Sequence, residues 1–191
     1  MILYLAFQVN YRIPVAKPAL KIYNRIIKTG QRRCLPVIML KIENIREFMR
    51  LLVKDSLFDD FEARTVFVST YVSFDIDCRI KKNFFPEEKR ESIKRDFCLW
   101  KEMRPVVFGL IKGERPPLGM KIVLSARPGL AAKIHENAKA LFLNINFEQE
   151  NLSITSGCSQ KEFSLSKDTD SLWDSYIREF LTSNGILYSE E

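Results

Sequence analysis

Four cations, Arg104, Lys112, Arg115 and Lys121, fall close together in this 191-residue chain, with only Glu102 and Glu114 as acids among residues 100–121. Pro116 and Pro117 fix φ in the turn that separates them, so residues 112–118 form a stiff loop. A stiff loop can present Lys112 and Arg115 to a phosphate or a carboxylate, with Arg104 and Lys121 converging from the flanking elements. These four residues are the candidate ligand-binding site. The same stretch also reads as a plain helix–turn–strand junction, with Trp100 and Phe108 in the core.

Asp75 and Asp77 lie two residues apart, which on a strand puts both carboxylates on one face, as an Mg²⁺ or Ca²⁺ site needs. Arg79 and Lys81 continue on that face and compete with any metal, so the alternation reads as a solvated, ion-paired strand face. His135 is the single histidine. A histidine metal cluster and a paired His acid–base mechanism are thereby excluded, and His135 itself is expected on a helix surface. Glycine-rich phosphate loops, G-x-S-x-G and H-E-x-x-H do not occur. Cys34, Cys78, Cys98 and Cys158 show no C-x-x-C spacing, so free thiols are expected and no disulfide among Cys78, Cys98 and Cys158. No catalytic residue, metal site or cofactor is implied.

The net charge of +6 is concentrated. Arg12, Lys17, Lys21, Arg25, Lys28, Arg32 and Arg33 precede residue 39 without one acid, and the remainder is close to neutral. Whole-chain basicity is therefore weak evidence for a polyanion partner. Residues 1–38 read as a basic N-terminal extension, disordered or non-native, with Met39 as the start of a single α+β domain over 39–191. A membrane-surface or polyanion anchor and a cleaved targeting peptide are the competing readings of the extension. No apolar run reaches the ~20 residues that a transmembrane helix needs.

The elements that must position these residues follow from periodicity. Ile42, Ile45, Met49 and Leu52 recur at helical spacing over residues 42–54. Residues 65–71 and 74–81 form two strands, the second alternating Phe74, Ile76, Cys78 and Ile80 with charged residues. Residues 86–95 are a charged helix or loop. A helix over 99–111 contains Pro105 and stops at Gly113; a strand over 120–125 and a short helix over 129–138 follow. Alternation over 141–147 and 152–155 predicts a hairpin, residues 161–165 offer a short strand, and a capped helix from Asp170 or Ser171 carries Trp173, Tyr176, Ile177 and Phe180. Paired strands and separate helices favour α+β: an antiparallel or mixed sheet with helices packed mainly on one face. The order of elements is similar to that of sliding-clamp domains, a likeness of fold alone.

Phe74-Asp75-Ile76-Asp77, Phe84-Phe85, Leu99-Trp100, Arg104-Pro105, Leu110-Ile111-Lys112-Gly113, Pro117-Leu118 and Lys121-Ile122-Val123 together resemble a family of unknown function found in short proteins of anaerobic Gram-positive bacteria. Leu141-Phe142-Leu143-Asn144-Ile145 and Trp173 extend the resemblance over about 39–191. Cys78 stands where the family pattern has glycine. The resemblance implies a start near Met39 and no activity. The resulting expectation is a cytoplasmic, bacterial, non-catalytic binding or assembly module. The alternative is a nucleic-acid-associated or enzymatic protein with an unfamiliar site around residues 100–121. Partners stay open: a protein, self-association or nucleic acid.

Overall fold

The computed structural model describes residues 38–190, so all but the last residue of the basic segment lies outside the described residues. Strand β1 (Met39–Ile42) opens the fold and helix α1 (Ile45–Val53) follows. The expected helix start at Ile42 is corrected here. Leu40 and Ile42 are buried while Met39 and Lys41 are exposed, a period of two, and the helix begins only where Asn44 accepts the Glu47 N–H at 3.0 Å. Four residues are too few for periodicity to separate strand from helix.

Strands β2 (Glu62–Ser69) and β3 (Ser73–Asp77) form a hairpin. A 3₁₀ turn (Lys82–Phe84) and the short helix α2 (Glu87–Arg90) follow. Helix α3 (Trp100–Ile111) runs through Pro105, which is exposed like Lys101, whose carbonyl loses its helical donor to the proline. Strand β4 (Gly119–Ser125), helix α4 (Pro128–Ile134), strands β5 (Ala138–Glu148) and β6 (Asn151–Gln160), helix α5 (Asp168–Ser183) and strand β7 (Tyr188–Glu190) complete the chain. The strand expected over 161–165 is a loop instead. Phe163 and Leu165 alternate but are exposed, and the side chains of Asn137 and Gln160 bind its backbone.

Among the described residues the strands form one sheet in the order β3-β2-β4-β5-β6-β1-β7, each pair antiparallel. The α+β class is thus established, with the antiparallel alternative realised. Gln149 and Glu150 both take positive φ, 50° and 61°, in the two-residue turn between β5 and β6, the form that matches the twist of a tight hairpin. One face of the sheet carries Val66, Val68, Met120, Ile122, Leu124, Leu143, Ile145 and Ile154, all essentially inaccessible. Phe48 and Leu52 of α1, Trp100 and Val107 of α3, and Trp173, Ile177 and Leu181 of α5 are buried with them in one core. The opposite face reads across the register Asp75, Phe67, Lys121, Asn146, Ser153, Lys41, and is polar and more open.

Polar groups that enter the core are matched. Trp100 Nε1 donates to the Leu52 carbonyl at 2.7 Å and joins α3 to α1. Ser156 Oγ donates to buried Asp174 at 2.5 Å, fixing α5 on β6, and burial holds that carboxyl above the usual carboxylate range.

Candidate anion-binding cleft

Strand β2 slips register between Ala63 and Thr65, leaving Arg64 as an extra residue in the strand. A bulge of this kind re-aims side chains. Arg64 turns across the end of the polar face, where Nε donates to Ser125 Oγ at 2.7 Å and Nη2 to Glu62 Oε2 at 3.1 Å. Burial raises the Glu62 carboxyl and lowers the Arg64 guanidinium, each opposed by the partner's charge. Ser125 is fully buried, and its hydroxyl sits between Arg64 and Glu62, accepting from the first and 3.5 Å from the second.

Residues 78–99 leave the sheet after β3 and return to it. Cys78 N–H donates to Arg64 O at 3.1 Å, Cys98 N–H to Cys78 O at 3.0 Å, Ile80 N–H to Asp96 O at 2.9 Å, and Ala63 N–H to Cys98 O at 2.8 Å. This ladder brings Phe97 opposite Arg79. The Phe97 ring then has Arg64 at 3.8 Å and Arg79 at 5.0 Å from its centroid, a double cation–π contact.

Between this excursion and Arg127, Pro128 and Lys139 opens a cleft of about 1050 Å³. Its lining is dominated by cations: Arg64, Arg79, Lys81, Lys94, Arg95, Arg127 and Lys139, against Glu62, Asp96 and Glu102. Some of these charges are already matched. Lys81 holds Asp77 at 2.6 Å, Arg127 holds Asp60 at 2.5 Å, and Arg95 grips Glu102 through two 2.6 Å hydrogen bonds. That grip, with the Leu99 N–H, keeps the Glu102 carboxyl below its ordinary range. Arg79, Lys94 and Lys139 make no ion pair among the described residues. Phe84 is 83% exposed and sits edge-on to Phe85, 5.5 Å between centroids, on the cleft wall.

The four residues singled out from the sequence lie elsewhere and do not form one cluster. Arg104 is half-buried in the helical layer, where Nε meets Asp59 at 2.8 Å and Nη1 donates to the Lys54 carbonyl at 2.9 Å. Lys112 caps the C-terminal end of α3 and Arg115 is exposed in the turn beyond it. Lys121 alternates with buried Met120 and Ile122, which puts it on the polar sheet face, across the sheet from Arg104. His135 ends α4, with Nδ1 accepting from the Asn137 N–H at 3.1 Å and meeting Thr169 Oγ1 at 3.0 Å, beside a hollow of about 470 Å³. The polar face mixes Asp75, Asp77 and Glu148 with Lys41 and Lys121, which gives no support to the sliding-clamp likeness. The cleft itself had a signal in the sequence. Residues 79–97 hold Arg79, Lys81, Lys82, Lys89, Arg90, Lys94 and Arg95 interleaved with Phe84, Phe85 and Phe97.

Cys78, Cys98 and Cys158 are not joined to one another by a disulfide, and Cys34 lies outside the described residues. Cys78 closes the bottom of the ladder where a glycine was expected. Burial pushes its thiol up to about 12, so the nucleophilic thiolate is suppressed at neutral pH. Iodoacetamide on the native chain is expected to leave Cys78 unmodified by peptide mass mapping, and to alkylate it fully in urea. Equal labelling in both conditions would contradict its burial.

The fold is a single antiparallel sheet with helices packed mainly on its apolar face, and the cleft lies between residues 78–99 and the end of the sheet. With this α+β architecture, the chain belongs to a family of unknown function, DUF5721, whose model matches residues 50–189. The match begins inside α1, later than the expected start near Met39, and so omits β1. No curated protein matches the chain, and no solved structure does.

Proposed function

We propose that this protein is a non-catalytic binding module of the bacterial cytoplasm, with a domain over 39–191 that takes an anionic ligand in the cleft between residues 78–99 and the end of the sheet. The observation that carries this reading is the unmatched trio Arg79, Lys94 and Lys139 on the cleft lining. Like charges that line one cleft repel one another, and a bound anion relieves that cost. No described helix is long and apolar enough to cross a membrane. Lys112 and Arg115, in their exposed turn, stand as the second candidate.

Calorimetry with tripolyphosphate at low salt tests the proposal on the full chain. The triple variant Arg79→Ala, Lys94→Ala, Lys139→Ala is expected to lose about tenfold or more in affinity, at ~1.5–3 kcal/mol per charge-assisted hydrogen bond. The double variant Lys112→Ala, Arg115→Ala is expected to bind like wild type. A loss in the double variant alone moves the site to the turn. Binding unchanged in the triple variant, or no binding at all, overturns the cleft reading.

A further inference from the structure

We infer that the ligand of the cleft is a single-stranded nucleic acid whose bases stack on Phe84; this rests on the anion-binding reading above. Three features select this chemistry among anions.

The first is an exposed aromatic ring beside cations. Phe84 is 83% exposed and lies at 89° to Phe85 in a T-shaped pair, so at least one face of the Phe84 ring is left for a base. Base–aromatic stacking is tolerant of sequence because every base has a flat π surface. A free phosphate, a sulfate or an acidic side chain has no use for such a ring. The second is the state of Arg79. Its guanidinium has Phe97 as a ring partner at 5.0 Å and no carboxylate, while Arg64, on the same ring, is tied to Ser125 and Glu62. Ring-stacked arginine without an acid partner suits a phosphate or a base face.

The third is layout. The unmatched cations come from three separate segments: Arg79 from the outgoing limb, Lys94 from the returning limb, and Lys139 from the start of β5. Charges spread along an open cleft of about 1050 Å³ fit successive phosphates of a strand better than one compact anion. A duplex is disfavoured, because reading it takes a helix or ribbon that projects into a groove, and here the binding surface is recessed.

Fluorescence anisotropy on the full chain tests this with two labelled strands of equal length and charge: a short oligothymidylate and its abasic deoxyribose-phosphate counterpart. The cations of residues 1–38 attract both strands alike, so the difference between the strands is the readout. Oligothymidylate is expected to bind about tenfold or more tighter than the abasic strand. Phe84→Ala removes that preference, and Phe84→Tyr restores it. Phe84 is exposed, so the alanine variant keeps its fold, and a thermal melt checks this. The triple cation variant weakens both strands. Equal affinity for the two strands, or an unchanged preference in Phe84→Ala, overturns the nucleic-acid assignment. In that event tripolyphosphate binding that still depends on Arg79, Lys94 and Lys139 leaves the anion reading standing. Displacement of tripolyphosphate by polyglutamate but not by oligothymidylate overturns the assignment in favour of an acidic peptide.

Discussion

Trp173→Ala is expected to lower the unfolding free energy by about 3–5 kcal/mol, a fifth or more of the roughly 5–15 kcal/mol that domains commonly have. The indole is fully buried and stacks on Tyr176 with 5.3 Å between centroids. Its Nε1 donates to the Phe142 carbonyl at 2.8 Å, so the side chain joins α5 to the middle of β5 by packing and by a directional bond. Alanine removes both and leaves a cavity that the close-packed core around it fills only in part. Trp173→Phe separates the two contributions: most of the ring remains, the donor goes, and a smaller loss of about 1–2 kcal/mol is expected. Urea unfolding followed by circular dichroism measures both. An alanine variant within about 1 kcal/mol of wild type would show that α5 is not held to the sheet as described.

How far the sequence discloses this fold depends on how local each feature is. The β5–β6 hairpin is legible because Leu141, Leu143 and Ile145 and then Leu152 and Ile154 alternate over long runs, and each of them is buried. The α5 stripe is legible for the same reason, though its start at Asp168 precedes the expected cap by two residues or more. Strand β1 is not legible. Its four residues sit between β6 and β7, so what makes them a strand is pairing with chain more than a hundred residues away, Leu40 opposite Ile154 and Glu190. Strand β7 is shorter still and exists only because β1 offers it an edge.

The site divides along the same line. Clustering along the chain directed attention to Arg104, Lys112, Arg115 and Lys121, yet Arg104 is matched by Asp59, a residue no spacing rule connects to it. The cleft is assembled by contacts across the chain instead. Arg64 reaches Ser125 and Glu62 only because of a one-residue register slip, and Phe97 meets Arg79 only through a returning limb. The interleaving of cations and phenylalanines over residues 79–97 marks the segment, but the gap between it and the sheet is a tertiary property. Composition could name the stretch and not the pocket.

The same register slip sets up the second large effect. Glu62 is 5% exposed, and among the described residues its one ion-pair partner is Arg64, at 3.1 Å, with the Arg127 charge a weaker influence. Arg64→Ala deletes the partner and leaves the carboxylate buried, which costs about 3–5 kcal/mol in comparable pairs. The pH dependence gives the cause away. Burial already holds the Glu62 carboxyl above its ordinary range while Arg64 pulls it down, so removing Arg64 moves it further up. A carboxyl raised in the folded state keeps its proton more tightly there than in the unfolded chain. The penalty is therefore full at pH values above the raised folded value and vanishes as pH falls through the ordinary glutamate range. Asp55, Asp77 and Glu102 are held below their ordinary range and weaken the fold in acid, but they do so in both proteins and cancel in the difference. Urea unfolding of wild type and Arg64→Ala across this pH range is thus expected to give a gap that narrows on acidification. Adding Glu62→Gln to Arg64→Ala is expected to recover part of the loss and to flatten the pH dependence, since no proton then remains to be taken up. A gap that stays constant with pH would assign the loss to the packing of Arg64 on Phe97 and Phe142, rather than to the stranded charge.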